Sequence, residues 1–352
     1  MLVARRLTMS LRLLFDNSCS GRTVMNETAG IEQQNDGRVG YGGLGNAARL
    51  RTLLEGPGVV RIVGAHNPLG ARLAEQAGFD GVWSSGLEIS ASQGVPDTDI
   101  LTMSELLSVA GAMAATVNAP VIADADAGYG NAHNVMNMVR RYEAAGIAGI
   151  SIEDKRFPKV NSFIPGRQEL APIGEFCGKL AAAKEAQRDP DFVVIARIEA
   201  LIAGQGMDEA LRRGEAYVQA GADAVLIHAK SDSPEPVLEF LDSWQQPTPV
   251  VVVPTTYHTI TADELGAAGA KMVIYANHGL RAGITAVSNT FRTILKDGRT
   301  TGLEERIAPL ATVFELQGMS EQKRNEARFI AAYESGHEED LTPVGSERAA
   351  QR

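Results

Sequence analysis

From Asn46 onward the chain runs in two strokes: a short apolar, often β-branched stretch, then a longer one whose apolar residues recur every three or four positions. The pattern predicts a short helix over 47–54 and a strand over 59–63. A helix over 68–77 follows, with Leu69, Leu73 and Ala77 on one face and Gly78 as its stop. The next strand is Val82-Trp83; a helix over 103–117 leads to a strand at 121–123, and a helix over 135–145, stopped by Gly146, leads to one at 149–152. Helices over 173–188, 207–220, 234–244 and 262–268 precede strands at 192–196, 224–227, 250–253 and 272–275. Eight apolar strands, each leading to an amphipathic helix, often with Gly at its end, are the pattern of an α/β chain closed into a TIM-type (β/α)8 barrel. A doubly wound sheet alternates in the same way, but eight units without a glycine-rich dinucleotide fingerprint favour the barrel.

A barrel of this kind places its active site at the C-terminal ends of the strands, so those ends are where chemistry is expected. In chain order they offer His66 and Asn67, then Ser84, Ser85, Gly86 and later Asp97, then Asp124 and Asp126, then Glu153. The last four offer Arg197 and Glu199, His228 and Lys230, Thr255 and Thr256, and Asn277 and His278. Loop residues are polar anyway, so each is weak evidence alone; the accumulation of carboxylates with an Arg and a His is the signal. The run Ile152-Glu153-Asp154-Lys155-Arg156-Phe157-Pro158-Lys159-Val160-Asn161-Ser162 stands out, because an apolar strand ends in a carboxylate and enters a charged loop with neither helical nor strand period.

Composition narrows the classes. At 352 residues and 44% apolar the chain can bury a substantial core. A formal net charge of −10 excludes a basic face for phosphate backbones, so no nucleic-acid partner is expected. Two distant cysteines, Cys19 and Cys177, support neither a disulfide framework nor a metal knuckle, and reduced thiols in a cytoplasm are the default expectation. The apolar runs near the N-terminus are too short for a signal peptide, and no stretch suffices to span a bilayer. Residues 1–44, rich in Gly, Asn, Ser and Thr, are expected to be a mobile extension ending in the Gly40–Gly45 run; 45–318 form the barrel, and 319–352 a C-terminal helix and polar tail. Nucleophile elbow, phosphate loop and His-Glu-x-x-His motifs are absent.

Asp124, Asp126 and Glu153 follow neighbouring strands, so a barrel makes them converge. Three clustered carboxylates need a compensating cation, and all-oxygen ligation suits Mg²⁺, or Mn²⁺, rather than Zn²⁺. The plainer alternative is an N-cap or surface ion pair, and for His228 a satisfied buried histidine. Arg197 and His228 would face that metal, and a planar Arg fork fits a carboxylate or phosphate oxygen pair. The expected ligand is a small multiply charged anion, to which Ser85 and Gly86, in a turn, would offer backbone N–H groups.

These residues resemble a known group. Trp83-Ser84-Ser85-Gly86-Leu87, the run Asp124-Ala125-Asp126-Ala127-Gly128-Tyr129-Gly130-Asn131 and the loop from Glu153 to Ser162 look like the signatures of the phosphoenolpyruvate mutase and phosphonopyruvate hydrolase group of the isocitrate lyase superfamily. The resemblance implies a barrel whose eighth helix is exchanged between subunits of a homotetramer or homodimer, with Mg²⁺ held by Asp124, Asp126 and Glu153. It also implies that Ser85, Gly86 and Leu87 hold the pyruvyl end of the substrate, and that Arg197 and His228 hold the substrate too. Lys159, Asn161 and Ser162 would ride on a gating loop, and Asp97 would be nucleophile or electrostatic organiser. The loop lacks the cysteine of the superfamily's lyases, which disfavours cleavage of a methylisocitrate type. Asn161 stands where the mutases carry an amide and the hydrolase a threonine, so a mutase interconverting phosphoenolpyruvate and phosphonopyruvate is expected. The segments His66-Asn67-Pro68-Leu69 and 166–170 look more like the hydrolase, which keeps that alternative open beside a Mg²⁺-dependent lyase or hydrolase of a small 2-oxo or dicarboxylic acid. Ala127 in place of Thr and Ser84 in place of Gly depart from the group's pattern.

Overall fold

A computed structural model describes residues 45–166 and 168–335, with side chains as far as 331. The extension expected over 1–44, all but the last residue of the Gly40–Gly45 run, and the tail beyond 335 lie outside the described residues. The two-stroke pattern becomes α1 (Asn46–Glu55), β1 (Val60–Ala65), α2 (Pro68–Ala77), β2 (Gly81–Ser84), α3 (Gly86–Ser92), α4 (Met103–Ala114), β3 (Val121–Asp124) and α5 (Ala132–Ala144). It continues as β4 (Gly149–Glu153), α6 (Ile173–Ala186), β5 (Val193–Ile198), α7 (Met207–Gln219), β6 (Ala224–Ile227), α8 (Glu235–Ser243), β7 (Val250–Val252), α9 (Ala262–Ala267) and β8 (Ala270–Tyr275). Three helices close the described chain: α10 (His278–Asp297), α11 (Leu310–Leu316) and α12 (Met319–Ser335).

The eight strands pair in parallel and in chain order, and β1 closes on β8. Strands covered on both faces should read as unbroken apolar runs, and β2, β3, β4, β6 and β7 are buried at every position. Ile62, Trp83, Ile122, Ile195, Leu226 and Met272 fill the interior, joined by Leu50 and Leu54 of α1. Leu50 reaches the start of β4, where a Cβ on Gly149 would lie only 3.2 Å from it. Helix starts are fixed locally: Thr102, Asn131 and Thr261 each form a reciprocal capping box, worth about 1 kcal/mol apiece.

Strands β3, β4 and β5 run further towards their C-termini than the apolar pattern suggests, so Asp124 pairs in register with Ser151 and Glu153 with Arg197. These charged side chains therefore stand on the rigid ladder and not on loops. Two expectations are corrected. Ser85 and Gly86 are not in a free turn: Ser85 caps α3, its Oγ accepting the Glu88 N–H at 3.2 Å, and Gly86 is the first helical residue. The stripe Leu69, Leu73, Ala77 does not face the barrel; Ala71 and Ala74 do, while Leu69 and Leu73 are about half exposed. α2 packs on β1, β2 and α4, and Leu69 lines a groove with Val313 and Leu316 of α11; α10, the helix that follows β8, has no buried residue at all.

Candidate active site

One cavity sits inside the C-terminal rim, and strands β2 to β8 deliver to it Ser85, Asp124, Glu153, Arg197, His228, Thr255 and Asn277. β1 delivers none of its lining. His66 turns instead to the buried Glu88, Nδ1 to Oε2 3.1 Å, Lys230 is exposed, and the Thr256 hydroxyl donates to the Ser231 carbonyl at 2.6 Å. His278 opens α10 and lies outside the lining. Leu87 lines the cavity beside Ser85. Gly86 stands behind the carboxylates: a Cβ there would meet Asp126 Oδ1 at 3.3 Å and Asp124 Oδ2 at 3.4 Å, tight enough to push either side chain.

The loop after β4 lies across this cavity as a lid. Its neck is pinned by an antiparallel bridge between Lys155 and Leu170 and by backbone bonds from Arg156 to Glu169 (3.0 Å) and from Ala171 to Asp154 (2.8 Å). Inside the neck, Lys159 Nζ meets Asp97 Oδ1 at 2.9 Å and Asp126 Oδ1 at 2.5 Å. Its backbone N–H donates to Asp99. Asn161 Nδ2 donates to Asp97 Oδ2 at 2.7 Å, and the Asn161 carbonyl accepts from Gln168 Nε2 at 3.1 Å. Phe163 closes over His228 edge-on, ring centres 5.7 Å apart. Asp97, Lys159, Asn161 and Ser162 thus come together with the strand-end residues, although Asp97 belongs to the segment between α3 and α4.

The cavity walls are short of positive charge. Among the described residues, Asp97, Asp124, Asp126, Glu153 and Glu199 face three permanent cations, Lys155, Lys159 and Arg197. Burial, reinforced by neighbouring carboxylates, holds the Asp124 carboxyl above its ordinary value and Asp126 well above, against the pull of Lys159. Burial disfavours the Lys159 ammonium too, yet four carboxylates around it hold its pKa well above the ordinary lysine value. Burial would also raise Asp97, but the charge and hydrogen bond of Lys159, with the Asn161 bond, bring it below 3.8. Strain gathers here as well: Asp99, Asp126 and Tyr129 are non-glycine residues with φ of 58°, 48° and 58°, a region that short polar side chains tolerate best.

On the opposite wall Arg197 Nε donates to Glu199 Oε1 at 2.5 Å, and Arg197 Nη2 lies 3.5 Å from Glu153 Oε2. His228 Nδ1 is 2.7 Å from the same Glu199 oxygen and 2.9 Å from Arg197 Nη2. Burial lowers the His228 pKa, assisted by Arg197 and resisted by Glu199, so the ring is neutral near pH 7. Glu199 itself is desolvated, but Arg197 and His228 hold it ionised, well below its ordinary value. An ionised carboxylate only accepts, so Nδ1 carries the ring hydrogen and Nε2 keeps its lone pair. Sequence reasoning assigned no role to Asp99, Lys155, Phe163 or Glu199. Glu199 was visible at a strand end; the other three carry no signal beyond a place in or beside polar loops.

The donor set fits a hard divalent cation. Glu153 Oε1 is buried and has no hydrogen-bond partner, and the wall has a surplus of carboxylate oxygens next to it. Among the described residues no three acidic, His or Cys side chains already converge on one point at ligand distance; with the lid down, the Lys159 ammonium stands between Asp97 and Asp126. A magnesium ion that keeps several waters needs only one or two direct carboxylate contacts, so this spacing accommodates it.

Comparison with known proteins places the geometry in context. A family model described as phosphoenolpyruvate phosphomutase matches residues 50–295. A crystal structure of a phosphoenolpyruvate phosphomutase from Streptomyces platensis subsp. rosaceus is 77% identical, with a TM-score of 0.80 over 81% of this chain and 99% of that one. Phosphonopyruvate hydrolase from Variovorax sp. (strain Pal2) is 49% identical over 80% of this chain and 98% of its own. A crystal structure of a phosphonopyruvate hydrolase in complex with oxalate and Mg²⁺ is 47% identical, TM-score 0.78, over 82% and 100%. No helix among the described residues is long and apolar enough to cross a membrane.

Proposed function

We propose that this chain, which belongs to the phosphoenolpyruvate phosphomutase family of the isocitrate lyase superfamily, is a mutase that interconverts phosphoenolpyruvate and phosphonopyruvate. In the direction from phosphonopyruvate, the C–P bond breaks, its electron pair stays on the pyruvate as an enolate, and the enolate oxygen takes the phosphoryl group. Such transfer passes through a loose, metaphosphate-like state, so the task of the protein is positioning and charge stabilisation. The observation that carries the reading is Asn161: the lid brings its amide into the cavity and anchors it on Asp97 at 2.7 Å, where an uncharged donor can hold a migrating phosphoryl group without attacking it.

Arg197 supplies a guanidinium for the phosphoryl oxygens, and His228, whose Nε2 keeps its lone pair, can accept only from a protonated phosphoryl oxygen. Ser85, with the first backbone N–H groups of Gly86 and Leu87, receives the pyruvate carboxylate. Asp124, Asp126 and Glu153 would hold Mg²⁺, or Mn²⁺, in part through water, and the ion when bound supplies positive charge beside the enolate oxygen. Both oxygens of Asp97 are engaged, by Lys159 and Asn161, which supports an organiser of the lid over a nucleophile. Lys159 seals the lid against the carboxylates, and Phe163 covers His228, so water is kept from the phosphorus.

The 49% identical hydrolase supports a second reading, in which water takes the phosphoryl group and pyruvate and phosphate are released. The cysteine-free lid gives a lyase reading no support. The exposed apolar face of α10 supports exchange of that helix within a homotetramer or homodimer. A ³¹P NMR time course with phosphonopyruvate and magnesium, repeated after a chelator, tests the reaction: signal passing to phosphoenolpyruvate, and stopped by the chelator, is expected. Signal passing only to inorganic phosphate overturns the mutase in favour of the hydrolase.

A further inference from the structure

Lys155 is a lysine with almost no exposure, 2%, at the neck of the lid, where it also lines the cavity. Its ammonium has three oxygens around it: the Val160 carbonyl at 2.8 Å, the Ser162 hydroxyl at 2.6 Å and Glu199 Oε2 at 3.3 Å. An ammonium only donates, so the Ser162 oxygen accepts from it and the single Ser162 hydrogen goes elsewhere. It goes to Glu199 Oε2, at 2.7 Å. Glu199 is thereby divided. One oxygen holds the lid through Ser162 and Lys155; the other receives Arg197 Nε and His228 Nδ1. Its backbone is held from behind: the Glu199 N–H donates to Asp154 Oδ1 at 2.9 Å, and Asp154 Oδ2 accepts from Tyr217 and Arg213 of α7 at 2.6 and 3.0 Å. The acceptor is therefore fixed from behind, and the lid residues Ser162 and Lys155 meet it from the front.

We propose that Lys155 and Glu199 are positioning residues that latch the lid through the Ser162 hydroxyl, and that Glu199 joins lid closure to the placement of Arg197 and His228. The inference rests on the phosphoryl-transfer reading for its consequence, though not for the latch itself. Lifting the lid removes the Ser162 hydrogen from a buried carboxylate oxygen and leaves that oxygen underpartnered, which favours reclosure. Closure in turn locks the Glu199 side chain in the orientation that aims Arg197 and His228 at the phosphoryl group. Ser162, which the family resemblance places on substrate, has its hydrogen committed to this latch. A lid that lifts more often admits water, which donates its oxygen to phosphorus while the released enolate takes a proton to become pyruvate.

The test uses the whole protein with Ser162→Ala, which removes one oxygen and leaves the Lys155–Glu199 ion pair, and with Ser162→Thr, which restores the hydroxyl. Two quantities are read: the rate of tryptic cleavage after Arg156 and Lys159, with and without magnesium and oxalate, and the share of phosphonopyruvate that ends as inorganic phosphate. Loss of one hydrogen bond to a charged group predicts cleavage and phosphate share both raised about tenfold in Ser162→Ala. Ser162→Thr returns both to within about twofold of the native values. Unchanged cleavage in Ser162→Ala, or a Thr variant that behaves like the Ala one, overturns the latch. Faster cleavage with an unchanged phosphate share overturns its link to Arg197 and His228. If the native protein turns over no phosphonate, the function fails separately, and the cleavage rates alone decide the latch.

Discussion

Two sides of the same barrel handle their unsatisfied groups in opposite ways. Over β4, β5 and β6 the buried charges are answered within the chain: Lys159 by Asp97 and Asp126, Arg197 by Glu199, Arg213 by Asp154. At the seam between β8 and β1 the apolar groups are not answered. Phe291 is 66% and Leu295 88% exposed on α10, and Leu69 and Leu73 of α2 are about half exposed. Ion pairs can be completed at close range by strand-end and loop residues of one chain. An apolar face needs a second surface of matching area, and no residue of α10 is buried among the described residues. The cations of the polar side are thus paired within one chain, whereas the apolar side is left exposed.

The comparison breaks most sharply at Arg197. Arg197→Met leaves Glu153 buried without its cation and Glu199 with Lys155 alone, so a turnover loss of about a thousandfold is expected from lost transition-state charge stabilisation, together with about 3 kcal/mol or more of stability. Kinetics and a denaturant melt check both, while light scattering should show the assembly unchanged; near-native turnover sinks the role. Asn161→Ala touches the same side more gently. It removes one donor, and isomerisation should fall about a hundredfold with a larger share of inorganic phosphate by ³¹P NMR; undiminished mutase turnover would count against this residue. On the other side, Phe291→Glu with Leu295→Glu should reduce the mass in light scattering to that of one chain. An unchanged mass would show that this face is not the contact.

The smallest effect concerns pH. Asp97 and Glu199 have depressed values in the folded protein, so their contribution is fully present above their ordinary values, 3.8 and 4.5, and is lost as pH falls through the lower folded values. Hydrogen exchange of the lid, corrected for intrinsic rates, should be flat from about pH 5 to 8 and rise only below about pH 4. A rise centred near pH 6 would instead implicate Asp154, whose carboxyl burial pushes up to about 6 and which accepts the Glu199 N–H.

Much of the site could be read from one strand at a time. Glu153 and Asp124 announce themselves as carboxylates ending apolar runs, and Arg197 and His228 as charge at strand ends, because the barrel converts a place along the chain into a place on a rim. Lys155, Asp99 and the function of Glu199 could not be read that way. Their meaning lies in contacts such as Ser162 to Glu199 or Lys159 to Asp99, between segments 37 and 60 positions apart, and nothing local marks one loop lysine as buried and another as solvated. The apolar stripe on α2 misled for a related reason: periodicity shows that a face seeks cover but not which surface covers it.

The order of apolar runs and helical periods determined the barrel, its rim and the charges on that rim, since backbone pairing and burial follow from local pattern. Only the tertiary structure decided which carboxylate holds which cation, how the lid is held down, and that the apolar residues of α10 stay exposed. Those outcomes depend on distances between remote segments, and a one-dimensional pattern contains periods but no such distances.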